Sequence, residues 1–108
     1  MKILAMGNSA LMDGFSLLGI KTYADESIDT INSVLSDLER HQQRALVFMQ
    51  HDLINADIPM VKTIRQSGGS ILICEIPNLQ EADDYQPAVE KLIGRVLGSS
   101  ALENTNGN

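Results

Sequence analysis

A chain of 108 residues has room for one hydrophobic core and little beyond it. The net charge is -6, and the eight basic residues are spread singly from Lys2 to Arg95, which excludes the clustered cationic stripe used against nucleic acid or anionic lipid. Cys74 is the lone cysteine, so no intramolecular disulfide forms, and no apolar run approaches the ~20 residues of a membrane span. The expectation is a soluble, cytoplasmic chain with no direct membrane insertion. The N-terminal run Ile3–Met6 is also too short for the apolar region of a signal peptide.

In chain order, Lys2 to Met6 is a short apolar run closed by Gly7-Asn8-Ser9, a buried strand and its turn. Ala10 to Leu18 follows as a helix, with Leu11, Phe15 and Leu18 on one face. Gly19 suits a left-handed stop. Ile20 to Ala24 is a second strand. Asp25 or Ser27 caps the next helix, whose apolar stripe is Ile28, Ile31, Val34, Leu35 and Leu38. Ala45 to Met49 is a continuous apolar strand of the kind covered on both faces.

Asp52 to Gln66 is interrupted by Pro59, so two helical pieces are expected, the second carrying Met60, Val61 and Ile64. Ser67-Gly68-Gly69 turns the chain into a fourth strand, Ser70 to Ile76, which Pro77 stops. Asn78 to Tyr85 is polar and acidic. Gln86-Pro87 opens an amphipathic helix to Leu97, with Pro87 suited to the first helical position, and Gly98 ends it. The alternation of strands and helices predicts an α/β fold: one small Rossmann-like domain whose four-stranded parallel sheet is flanked by helices. The expected division is a sheet domain over 1–77, a connector over 78–85, a C-terminal amphipathic helix over 86–98, and a disordered tail over 99–108.

Ligands of open α/β sheets bind beyond the carboxyl ends of the strands. Gly7-Asn8-Ser9 lies there but lacks the further glycines of a dinucleotide fingerprint and the Gly-Lys-Ser/Thr of a P-loop. It reads as a tight strand-to-helix turn. A receiver-like signalling module has a similar order of elements. Its chemistry needs acidic Mg²⁺ ligands after the first strand, where Asn8 and Ser9 stand, and a Lys beyond a later strand, where Glu75-Ile76-Pro77 stands. Asp52, roughly where a phosphoacceptor would lie, reads as a helix cap. His51 and His41 read as solvated histidines, Cys74 as a buried inert thiol, and the three show no metal spacing. No catalytic residue, cofactor site or metal site is expected.

The last helix carries the most information. Val89, Leu92, Ile93, Val96 and Leu97 fall at i, i+3, i+4, i+7 and i+8. The stripe either covers the chain's own sheet or docks on a partner helix.

Three stretches resemble the F-type stalk component of V/A-type ATPases and ATP synthases. They are Lys2-Ile3-Leu4-Ala5-Met6-Gly7, Gly14-Phe15-Ser16-Leu17-Leu18-Gly19-Ile20, and Ile73-Cys74-Glu75-Ile76-Pro77 with the acidic loop and amphipathic helix that follow. The middle stretch is similar to the family's Gly-Phe-x-Leu-x-Gly-hydrophobic signature. Asn8-Ser9 and Asn78 depart from the acidic residues and the serine often found in the family at those places. The resemblance implies a non-catalytic rotor component of the central stalk, contributing to rotary coupling of ATP hydrolysis or synthesis to ion transport. It implies a globular domain near the membrane-side stalk components. It also implies Val89, Leu92, Ile93, Val96 and Leu97 as the contact with the coiled coil of the D-type rotor component, within the catalytic head. The chain would then be peripheral to the membrane as part of a membrane-bound complex. The alternative is a degenerate receiver-like α/β module without phosphoacceptor chemistry.

Overall fold

The computed structural model describes residues 1–76 and 86–98. The elements run β1 (Lys2–Gly7), α1 (Ser9–Leu17), β2 (Lys21–Ala24), α2 (Ile28–Arg40), β3 (Ala45–Gln50), α3 (His51–Ile54), α4 (Pro59–Ser67), β4 (Ile71–Ile76) and α5 (Gln86–Leu97). The expected connector over 78–85 and tail over 99–108 lie outside the described residues.

All three strand pairings are parallel, in the order β2-β1-β3-β4. The chain moves outward from β1 to β2, then back across β1 to β3 and on to β4. A right-handed crossover therefore puts α1 on one face and α2 with α4 on the other. The two cores follow that division. Leu4, Met6, Val47, Met49 and Ile71 face Ile31, Leu35, Val61 and Ile64 of α2 and α4. Ala5, Leu46, Phe48 and Ile76 face Leu11, Met12 and Phe15 of α1 and Val89, Leu92 and Ile93 of α5. Alternate residues of each strand thus enter opposite cores, as the pleat requires. β3, central and covered twice, is buried from Ala45 to Met49.

Local chemistry sets the element ends. Asn8 caps α1 by accepting from the Leu11 amide at 2.9 Å. Of the two candidate caps for α2, Ser27 serves: its hydroxyl accepts from the Thr30 amide at 3.1 Å. Asp25 instead takes a left-handed backbone, φ 53°. Gly19 (φ 81°) and Gly68 (φ 63°) make the left-handed turns that end α1 and α4. Pro59 begins α4 at a position where its missing N–H costs nothing.

Two expectations about burial need correction. Ile28, counted in the α2 stripe, is 46% exposed, because it opens the helix before the sheet is reached. Cys74 is half-buried rather than buried, because β4 is an edge strand.

Candidate functional site

Two places invite a functional reading: the crevice at the carboxyl ends of β1 and β3, and the apolar face of α5. The crevice lies at the reversal of strand order, where ligands of such sheets bind. It is a cleft of about 320 Å³ lined by Gly7, Asn8, Tyr23, Asp25, Glu26, Ile31, Gln50, Asp52 and Leu53.

The pairing of Met6 with Met49 sets Gly7 beside Gln50. Gln50 Oε1 accepts the Asn8 amide at 2.7 Å, and the Asn8 side chain takes the Leu11 amide. Two N–H groups that a phosphate would need at the start of α1 are therefore satisfied from within the chain. Asp25, Glu26 and Asp52 give the cleft an acidic wall, adverse to anions. Among the described residues no three His, Cys, Asp or Glu groups are placed to hold a metal ion.

Asp52, expected as a helix cap, sits in the first turn of α3. The cap position is Gln50, whose side chain makes no capping bond because it reaches across to Asn8 instead. Nor is His51 a loop histidine. It opens α3, with Nδ1 2.9 Å from Glu75 Oε2 and Nε2 2.7 Å from Asn55 Nδ2. A carboxylate can only accept and the amide nitrogen can only donate, so Nδ1–H faces Glu75 while Nε2 accepts from Asn55. Both ring nitrogens are engaged, and the imidazole ties α3 to the end of β4. His41 lies at the C-cap of α2 with Nδ1 2.8 Å from the Asp37 carbonyl, which suits a polar helix end.

Along α5, Val89, Leu92 and Ile93 are 0%, 5% and 1% exposed and pack with Phe15, Phe48 and Ile76. Phe15 and Phe48 lie 5.4 Å apart at that centre. Val96 and Leu97 are only half-buried against the same cluster. The structure thus brings all five stripe residues to one face of the chain's own domain, and cover falls off towards the helix end. Gly98, φ 84°, ends the helix with its amide on the Gly94 carbonyl at 2.8 Å.

The family model of the ATP synthase (F/14-kDa) subunit matches residues 3–93. The chain belongs to that family. The match runs through all four strands and into α5 as far as Ile93, so it takes in Val89 and Leu92 and leaves out Val96 and Leu97. The Gly14–Ile20 stretch that resembles the family signature has a clear structural role. Gly14 and Phe15 are buried where α1 meets the sheet, and Gly19 makes the left-handed turn into β2. A search among curated proteins gives no match. Family membership makes the chain a structural component of a rotary ATPase. Among the described residues no helix is long and apolar enough to cross a membrane.

Sequence reasoning missed the Gln50–Asn8 bond and the Glu75–His51–Asn55 chain. Both join residues distant in sequence and depend on strand register. The one available signal was that Gln50 and Glu75 are polar residues at the ends of apolar strands.

Proposed function

We propose that this chain is a non-catalytic part of the central rotor stalk of a V/A-type ATPase. It binds the coiled coil of the D-type rotor component and contributes to coupling ATP hydrolysis or synthesis to ion transport, from the cytoplasmic side and peripheral to the membrane. The partner-binding residues are Val89, Leu92, Ile93, Val96 and Leu97. The observation that carries this reading is the graded cover of α5. Three side chains are held in the domain, while Val96 and Leu97 keep apolar surface open at the helix end.

An apolar stripe at helical spacing fits the seam of a helical pair. The same face cannot lie on the sheet and on a coiled coil at once. Docking on the D-type coiled coil therefore begins at Val96 and Leu97, and full engagement displaces α5 from Phe15 and Phe48. Helix position then becomes a means of adjusting rotor coupling. Such a role needs close packing and no reactive group, in keeping with a crevice whose amides are internally satisfied.

The test is copurification with the D-type rotor component. Val96→Asp/Leu97→Asp leaves the three buried anchors in place, so the sheet domain keeps its circular dichroism while recovery of that partner is lost. Undiminished recovery by a folded double variant would refute the assignment of the stripe. A cross-link fixing α5 to its own domain should change the ATPase activity of the assembled complex; unchanged activity refutes the regulatory part.

A further inference from the structure

The two edges of the sheet are unequal. β2 is four residues long and begins with Lys21, whose ammonium lies over the Tyr23 ring at 5.6 Å. Shortness and an edge lysine both discourage pairing with another strand. β4 is longer, Ile71-Leu72-Ile73-Cys74-Glu75-Ile76, with no lysine, proline or glycine. Leu72 is 63% exposed. Beside it a cleft of about 300 Å³ is lined by Ile64, Arg65, Gly68 and Gly69 with Ile71, Leu72 and Ile73.

The direction of the free backbone groups follows from the β3 register. Ala45 lies opposite Ile71, and its amide bonds the Ser70 carbonyl at 3.1 Å. In a parallel ladder the groups of Leu72 and Cys74 then also face β3, and those of Ile71, Ile73 and Glu75 face outward. Among the described residues nothing pairs with these outward groups.

We propose that the β4 edge is a pairing surface for a second copy of this chain, antiparallel about a two-fold axis at Ile73. The free groups select that register. Ile73 pairs with its own counterpart and Ile71 with Glu75 of the other copy, exchanging about six hydrogen bonds between outward-facing residues. Any shift by one residue would oppose outward groups with groups already committed to β3.

Charge supports the same arrangement. Arg65 stands at the Ile71 end of the strand, exposed and, among the described residues, without an ion-pair or hydrogen-bond partner. Glu75 stands at the other end, with Oε2 on His51 and, among the described residues, Oε1 turned to no side chain. Antiparallel pairing carries Glu75 of one copy to Ile71 of the other, on the face where Arg65 waits. On the opposite face, Leu72 meets Cys74 of the other copy and loses its exposure. Thus apolar surface, backbone groups and charge are all matched by one operation.

The register can be read covalently. Leu72 and Cys74 of the other copy form a non-hydrogen-bonded pair with Cα atoms about 4.5 Å apart, within reach of a disulfide. Under mild oxidation the full-length Leu72→Cys variant should run as a reducible dimer on a non-reducing gel. Leu72→Cys/Cys74→Ser should lose the cross-link.

Sedimentation equilibrium provides a second readout. Arg65→Glu and Glu75→Arg should each weaken dimerisation about tenfold through like charges across the strands. An equimolar mixture of the two variants restores opposite charge at both ends and should recover it. A chain that stays monomeric to millimolar concentration overturns the proposal and leaves the edge to a strand of some other protein. Cross-linking that persists without Cys74, or a dimer indifferent to both charge reversals, overturns it as well.

Discussion

Ile93→Ala is the sharpest probe of whether α5 can leave the sheet independently. Ile93 is 1% exposed and belongs to the cluster around Phe15 and Phe48. The substitution removes three carbons, about 2.4 kcal/mol at ~0.8 kcal/mol for each buried group. Incomplete collapse of the cavity adds to this, so the total falls near 3 kcal/mol, within the roughly 2–5 kcal/mol typical of such truncations. If α5 detaches as a unit, that free energy comes off its local opening. Its amides should then exchange with solvent roughly 150-fold faster, at 1.4 kcal/mol per factor of ten, while Val47 and Phe48 in β3 keep their wild-type rates. Native-state hydrogen exchange followed by mass spectrometry distinguishes the two segments. Equal acceleration in α5 and β3 would mean that the helix opens only with the whole domain. Exchange of the face between sheet and coiled coil would then be refuted.

Three further outcomes are expected. Gly7→Ala places a Cβ 2.7 Å from Gln50 Oε1 and 3.1 Å from Met12 Cε, costing about 1–3 kcal/mol. In combination with Gln50→Ala, denaturant melts should show a cost smaller than the sum of the two single changes. Ser27→Ala removes the acceptor for the Thr30 amide and should lower stability by about 1 kcal/mol, measured by urea unfolding. Asp52, in the first turn of α3 and, among the described residues, without an arranged set of Mg²⁺ ligands, should take up no phosphoryl group from acetyl phosphate and Mg²⁺. Phosphorylation detected there by intact mass would revive the receiver-like alternative.

Much of this arrangement was legible in the residues because local signals agreed with one another. The apolar run Ala45–Met49 had to be a doubly covered strand. Pro59 and Pro87 marked helix starts, and Gly19 and Gly98 marked left-handed ends. α5 was readable to its last residue because its stripe, its proline and its glycine all indicate the same helix. The candidate contact residues Val89, Leu92, Ile93, Val96 and Leu97 came from that same periodicity.

Sequence alone therefore determined which segments are helix or strand and which face of each is apolar, since both are set by neighbours within a few positions. Strand order and register are long-range quantities, and only the tertiary structure decided what depended on them. The order β2-β1-β3-β4 made β4 an edge, leaving Leu72 exposed and Cys74 half-buried within a run that reads as fully apolar. Register brought Gln50 to Asn8 and Glu75 to His51, contacts 42 and 24 residues apart that no local pattern encodes. It also resolved the choice between Ser27 and Asp25, because a cap depends on the angle at which the chain leaves β2. The α5 stripe packs on the sheet because burying Val89, Leu92 and Ile93 there removes apolar surface from water. Periodicity identifies a face that must be covered, and folding chooses what covers it.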